Sequence, residues 1–397
     1  MGDLRRFTWA NAVTQLGTQV TVVALPLTAV LVLDAGAFEL GVLSAVQTVA
    51  FLLVGLPAGV WVDRWRRRPV LVWSELVRGV ALLTVPAAAC LGALPLPHLY
   101  AVALVLGVGT VFFDVAQMSF LPAIVPKEQL ERANGRLEAT RQVSVLAGPG
   151  LGGWLVAALT APFALLADAV AYLGSAALVS GVRAVEPSRD GGKGGLRAQV
   201  AEGMAFVLRE PVLRRVAAGG ALTRVALGVC AVGYLLYLVV ELRVATAGYG
   251  LLLSAAAVGA LAGAALASRV TWRHGVGPTL YGSALLTVVL HLPGAATGPG
   301  WRLLIFPVAS ALAGAAATVF NVAQLSYRQR ITPERMLGRV HASMRFLMWG
   351  AMPLGGLAGG ALGEWLGGQG VFAAGVALLG LSYLPIVTAP GIRRVAA

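Results

Sequence analysis

The chain reads GLPAGVWVDRWRRRPV over residues 55–70, and this stretch decides the fold. It places one aspartate and four arginines between two apolar runs, each about long enough to cross a bilayer. A buried soluble core cannot hold such a cluster, whereas a tight loop that joins two membrane helices at the cytoplasmic surface can. Gly55 and Gly59, just before the loop, predict a close approach between helices.

Composition supports the same fold class. Of 397 residues, 58% are hydrophobic and only 12% are charged, and the mean hydropathy is +0.81. A soluble protein of this size carries roughly 25% charged residues. The net charge of +13 is spread over short loops rather than along one basic face, so we expect no nucleic-acid partner. No Walker A or HExxH motif occurs, so we expect neither an enzyme nor a cofactor nor a metal site.

Apolar runs, punctuated by Gly, Pro and charged residues, predict twelve membrane spans. Basic residues collect in the loops on one side, so the positive-inside rule predicts cytoplasmic termini. The fold expected is therefore an all-α membrane protein. The spans are 7–32, 39–62, 70–94, 99–124, 137–159, 162–182, 213–240, 249–267, 277–294, 301–326, 341–363 and 370–389.

An internal duplication predicts the domain organisation. The segment TVFFDVAQMSF at residues 110–120 reappears as TVFNVAQLSY at residues 318–327, with one residue dropped. Two six-helix parallel repeats, 1–182 and 213–397, are expected. The linker between them, 183–212, is Gly-rich at its start, and its second part predicts a short amphipathic helix on the membrane surface.

The loop motif resembles the signature between helices 2 and 3 of the major facilitator superfamily, G-x-x-x-D-R-x-G-R-R. The matching residues are Gly59, Asp63, Arg64, Arg67 and Arg68, while Arg66 replaces the usual glycine. The resemblance implies the major facilitator fold. We expect these residues to form a conformational latch to span eleven; the alternative is a solvated basic loop that only sets orientation.

A second motif resembles the antiporter motif of exporters in this superfamily. It consists of Gly148, Pro149, Gly152 and Gly153 in span five; the alternative is ordinary Gly/Pro packing of membrane helices. Together with segments along most of the chain, it resembles the branch of macrolide-type and enterobactin exporters. Many drug–proton antiporters carry an arginine four residues before a GxG pair in span four, and that position is Ala103 here.

Charged residues at membrane depth are few and are functional candidates. Asp114 is the first candidate for proton coupling, because its repeat counterpart is the uncharged Asn321, and Asp168 is the second. The alternative for Asp114 is a static ion pair with Arg141. Arg141 and Arg345 are repeat-related and are expected to be buried charges with a structural role. Glu75 and Arg78 lie nearer the cytoplasmic end of span three.

Polar residues at helical spacing are candidates for lining a central cavity, although a stripe of this kind can equally hydrogen-bond a neighbouring helix. The cavity candidates are Asn11, Gln15, Gln19, Gln117, Arg224, Asn321 and Gln324.

The function expected is secondary active transport by alternating access, with proton-coupled efflux of an amphipathic small molecule such as a drug, a macrolide-like natural product or a siderophore. The alternative is a proton-coupled importer or a lysophospholipid flippase on the same fold. The expected partners are the substrate, protons and the lipid bilayer. We expect a monomer in the bacterial cytoplasmic (inner) membrane.

Overall fold

The computed structural model describes residues 2–126, 129–183, 196–333 and 336–389. Regular structure in these ranges is helical. The longer helices, in chain order, are α1 (Asp3–Leu33), α2 (Ala37–Leu53), α3 (Gly55–Arg64), α4 (Arg67–Cys90), α5 (Leu96–Ile124), α6 (Leu130–Leu159), α7 (Ala161–Ser180), α8 (Leu196–Arg209), α9 (Pro211–Tyr234), α10 (Thr246–His274), α11 (Val276–His291), α12 (Ile305–Ile331), α13 (Leu337–Trp349), α14 (Met352–Leu381) and α15 (Leu384–Val387). A π-helical segment, Leu235–Glu241, extends α9.

Ten helical segments in the described ranges are long and apolar enough to cross a membrane. The predicted all-α membrane fold is confirmed. The count of twelve spans stays a prediction, because α2 has only 17 residues and Arg339–Val387 forms one segment where two spans were expected.

The predicted span 39–62 is not one helix. It breaks at Val54 into α2 and α3, because Pro57 has no N–H to donate to the carbonyl four residues earlier and its ring clashes there. The close approach predicted at Gly55 and Gly59 is not found among the described residues, where a Cβ atom on either glycine would meet nothing within 4 Å. Their repeat counterparts, Gly259 and Gly263 on α10, do lie against backbone of α12.

The chain divides into two compact units. The first comprises Met1–Lys193 with Val244–Ser254, and the second comprises Gly194–Arg243 with Ala255–Ala397. The core of the first unit includes Phe7 and Phe120, whose ring centroids lie 5.4 Å apart.

In the second unit, α8 packs against α13. Val207 is fully buried in the same apolar cluster as Val340 and Met344, and Glu202 forms an ion pair with Arg339. One face of α8 is therefore covered by protein. Residues 184–195, at the start of the predicted linker, lie outside the described residues.

The last two predicted spans meet at Gly367, where the backbone of α14 leaves the helical region with φ 68° and ψ −179°. Only glycine adopts this conformation without strain. The carboxylate of Glu241 accepts the backbone N–H groups of Gly368 and Gln369 at 2.6 and 3.0 Å. The turn is thus held by an acid at the end of the π-helical segment.

Candidate functional site

Three helices of the first unit, α1, α4 and α7, enclose a polar cluster. They pack closely because glycines stand at the contacts: a Cβ atom on Gly17 would overlap Asp168, and one on Gly79 would lie 3.0 Å from Leu173. Along α7, Asp168, Tyr172 and Ser175 follow helical spacing and share one buried face.

Glu75 on α4 is one of two acids in this cluster. It is fully buried, and its Oε1 accepts hydrogen bonds from Thr14 Oγ1 at 2.7 Å and from Ser175 Oγ at 2.9 Å. Its Oε2 lies 3.1 Å from Arg78 Nη2. Two hydroxyl donors, from α1 and α7, and the guanidinium of an ion-pair partner on α4 therefore surround Glu75, and this environment favours an ionised carboxylate.

Arg78 lies one turn along α4 and is also buried. Its Nε donates to the carbonyl of Ser74 at 3.1 Å, and its guanidinium carbon lies 4.3 Å from the Tyr172 ring centroid and 4.8 Å from that of Phe113. Space for the side chain comes from Gly109 on α5, where a Cβ atom would lie 2.7 Å from Arg78 Cγ. The guanidinium also donates to Thr110 Oγ1 at 3.4 Å, so it is held by one carboxylate, one carbonyl, one hydroxyl and two aromatic faces.

Asp168 on α7 is the second acid. Its side chain is fully buried, and Oδ2 accepts a hydrogen bond from Thr21 Oγ1. Oδ1 has no hydrogen-bond partner among the described residues. Arg78 lies within electrostatic range of this carboxyl group. Beside it, the Tyr172 hydroxyl and Thr18 Oγ1 are 3.0 Å apart.

The predicted pairing of Arg141 needs correction. Arg141 forms a bidentate ion pair with Glu138, at 2.9 and 2.6 Å, one turn away on α6. Its side chain is 48% exposed, so the predicted buried charge is wrong at this position. The i, i+3 spacing favours Glu138, which is closer in sequence than Asp114. Asp114 is partly buried on α5. Arg345, the repeat counterpart of Arg141, is partly buried on α13.

Two cavity candidates of the first unit bind each other. Gln117 Nε2 donates to Asn11 Oδ1 at 2.9 Å, and Asn11 is buried. The structure thus uses this pair to join α5 to α1, which was one of the two alternatives. Gln15 and Gln19 are partly buried on α1.

Three cavity candidates lie in the second unit, on α9 and α12. Arg224 on α9 lies with its guanidinium carbon 4.0 Å from the centroid of the Trp349 ring. Asn321 is exposed on α12, and Gln324 has a buried Oε1 without a hydrogen-bond partner among the described residues.

The antiporter-like motif forms two helix contacts within the first unit. A Cβ atom on Gly148 would overlap Gln19, and one on Gly152 would lie 3.1 Å from Val20 Cα, both on α1. On the other side, Gly153 lies against the backbone of Thr246 at the start of α10. Pro149 lies inside the helix, as predicted from the sequence.

The arginines of the loop motif after α3 differ in how far they are buried. Arg67 is buried, Arg68 is partly buried and Arg64 is exposed. The side chain of Asp63 lies outside the described side chains. An aromatic stack that was not predicted flanks the motif: Trp61, Trp65 and Phe112 have ring centroids 6.0 to 6.3 Å apart and nearly parallel planes.

Sequence reasoning missed the full burial of Glu75 and Arg78. Their position near the end of a span suggested access to the cytoplasm, whereas 0% and 2% of the two side chains is exposed. The signal that could have found them is the i, i+3 spacing of an acid and a base within an apolar helix, opposite Asp168.

The family model described as Major Facilitator Superfamily matches residues 7–242, which is more than half of the chain. The chain belongs to this superfamily. It is 27% identical over 400 residues to the multidrug efflux pump Tap of Mycolicibacterium fortuitum, covering 94% of this chain and 92% of that protein. It is 30% identical over 360 residues to the enterobactin exporter EntS of Citrobacter koseri, covering 87% and 80%. The predicted family resemblance is confirmed.

The fold agrees with this assignment. The crystal structure of a bacterial homologue of the iron transporter ferroportin, in its inward-facing state, aligns with a TM-score of 0.75 at 18% identity, covering 97% of this chain and 98% of that one. At this identity the likeness shows the fold alone. The protein is a multi-pass transporter of the major facilitator superfamily.

Proposed function

We propose that this transporter exports an amphipathic small molecule in exchange for protons. The observation that carries the proposal is the fully buried Asp168, which faces a second buried acid and one arginine in the first unit. Ionisable groups at membrane depth are costly, and proton relays are one of the functions that use them. Asp114 and Asp168 are the proposed coupling acids, and Arg78 lies within electrostatic range of both.

The direction of transport is proposed from the relatives. Both Tap and EntS are named for outward transport, as efflux pump and exporter, and each is similar over most of this chain. Import of a nutrient or flipping of a lysophospholipid is the alternative on the same fold. The named relatives favour export.

The substrate class follows from the residues proposed to line the path. They are mostly uncharged and polar within an apolar surround, which suits an amphipathic organic molecule better than a sugar or an ion. Drugs, macrolide-like natural products and siderophores belong to this class. The site of action proposed is the bacterial cytoplasmic membrane, with a monomeric chain and both termini in the cytoplasm.

The loop after α3 is proposed to bias the conformational cycle. Asp63 and the neighbouring arginines would form a charge latch to the second half of the chain in the outward-facing state. A contact made in only one state shifts the equilibrium by its own free energy.

Transport by purified protein in liposomes tests this proposal. A panel of macrolides, siderophores and lysolipids is offered to vesicles with an imposed proton gradient, in both directions. We expect concentrative transport of at least one compound towards the more acidic side, abolished by a protonophore. Transport that persists after gradient collapse and requires ATP, or accumulation towards the alkaline side, would contradict it.

A further inference from the structure

We propose that Glu75, Arg78 and Asp168 form a single proton-binding site, in which Glu75 and Arg78 remain an ion pair while Asp168 holds the exchangeable proton. This inference rests on the proton coupling proposed above and assigns it to a cluster that includes Glu75, which no sequence motif identifies. All residues of this cluster belong to the first unit.

The net charge of the cluster depends on how many of its acids are ionised. Two carboxyl groups and one guanidinium are enclosed by α1, α4, α5 and α7, and each side chain is at most 2% exposed. If both acids were ionised, the cluster would carry a buried net charge of minus one, which the low-dielectric interior disfavours. One bound proton makes the cluster neutral.

The hydrogen bonds show which acid takes the proton. Glu75 accepts two hydroxyl hydrogen bonds at Oε1, and its Oε2, which has no hydrogen-bond partner among the described residues, lies 3.1 Å from Arg78 Nη2. Asp168 accepts only the Thr21 hydroxyl at Oδ2, and it forms no ion pair among the described residues. A buried carboxylate without an ion pair costs more than a neutral acid, so the proton belongs on Asp168.

The groups that face the cluster come from α1, α5 and α7. From α1 it meets the hydroxyl groups of Thr14, Thr18 and Thr21, and from α7 it meets Ser175 and the hydroxyl-bearing ring of Tyr172. From α5 the remaining acid is Asp114, within electrostatic range of Arg78. These surroundings leave Arg78 as the cation that both buried acids share.

The fold itself does not require this cluster. Under the predicted duplication, spans 277–294 and 370–389 of the second half correspond to the spans that carry Glu75, Arg78 and Asp168. Neither span contains an Asp, Glu, Lys or Arg residue. These two spans of the second half therefore pack without a charged residue, which favours a functional reason for the charges in the first half.

In the transport cycle, Asp168 would alternate between carboxylic acid and carboxylate, and the net charge of the cluster between zero and minus one. The proton is taken from the outer side and released to cytoplasmic water. When Asp168 is ionised, Arg78 divides its attraction between two carboxylates. The guanidinium contacts the ring faces of Tyr172 and Phe113 in addition to its hydrogen bonds.

Infrared difference spectroscopy on the purified protein in lipid tests the site without transport or substrate. The signal followed is the carbonyl stretch of protonated carboxyl groups at neutral pH. We expect Asp168→Asn to remove one such signal. Glu75→Gln should remove the same signal, because Arg78 then loses its ion-pair partner and Asp168 ionises to replace it. In the double variant Glu75→Gln/Arg78→Gln the signal should return.

Glu138→Gln serves as the matched control, since it removes an acid that also pairs with an arginine at i, i+3 but lies outside the cluster. It should leave the signal unchanged. If the Asp168 signal survives Glu75→Gln, or is absent from the unmodified protein, the inference is overturned. If the infrared pattern is found but no gradient-driven transport occurs, the site stands and the proposed function fails.

Discussion

Thr160 and Gly367 adopt nearly the same backbone conformation, with φ 74° and ψ 161° at the first and φ 68° and ψ −179° at the second. Each forms the sharp turn between two membrane helices, and the two residues lie 207 positions apart, the separation that also relates Asp114 to Asn321. Each half of the chain thus contains a turn of this conformation. Thr160, however, adopts this conformation although it has a side chain.

We expect Thr160→Gly to stabilise the protein. The conformation belongs to a region that essentially only glycine occupies, and strain there costs about 1–3 kcal/mol. Part of the gain is offset because glycine makes the unfolded chain more flexible, by about 0.5–1 kcal/mol. The apparent melting temperature in detergent should rise. Gly367→Thr, the reverse change at the equivalent turn, should lower it, and equal shifts in the two variants would contradict the strain argument.

Topology can be tested at the loops that carry few basic residues. Reporter fusions after Leu33 and after Arg243 should report the extracytoplasmic side, because the positive-inside rule places both termini in the cytoplasm. A fusion after Arg68 provides the cytoplasmic reference. Cytoplasmic signals at both of the first two points would overturn the predicted orientation.

Asp63→Asn should reduce transport by roughly 5-fold or more while the amount of protein in the membrane stays unchanged. The reason is that a latch made in one state contributes about 1–3 kcal/mol to the conformational equilibrium. Initial rates of export, normalised to protein abundance, provide the measurement. Asp63→Glu, which keeps the charge, is the control. If the neutral variant transports like the unmodified protein, the loop only sets orientation.

Gly109→Ala should disturb the buried cluster through a single methyl group. A Cβ atom there would lie 2.7 Å from Cγ and 2.9 Å from Cδ of Arg78, so the arginine stem must move away from its partners. Gradient-driven accumulation should fall several-fold. Gly174→Ala is the matched control, since a Cβ atom at that position meets nothing within 4 Å. Equal effects of the two variants would mean that the position of Arg78 is unimportant.

The fold could be predicted from sequence because apolar length, loop charge and the internal duplication each report a local property. The break at Val54 could also have been read from Pro57. The candidate site was only half predictable. Asp168 stood out as an acid in an apolar span, but its hydrogen bond with Thr21 and its electrostatic interaction with Arg78 join three helices that lie far apart in sequence. Side-chain partners of that kind depend on helix packing, which periodicity does not determine.

The last prediction concerns Asp114, the other proposed coupling acid. It lies ten residues from the C-terminal end of α5, or roughly 15 Å at helical rise, and is partly buried, whereas Asp168 is fully buried. Its counterpart Asn321 shows that the surrounding Val-Ala-Gln sequence does not require an acid. We therefore expect Asp114→Asn to abolish gradient-driven efflux while substrate exchange continues.

The physical reason is that exchange needs only the two conformations and a bound substrate, whereas accumulation needs a proton to be carried in each cycle. Vesicles loaded with substrate distinguish the two modes, by counterflow at equal pH and by uptake against a gradient. Asn321→Asp, which places an acid at the repeat-related position, should not restore accumulation to Asp114→Asn, because the Glu75–Arg78 pair is present only in the first unit. If Asp114→Asn still concentrates substrate, coupling resides at Asp168 alone.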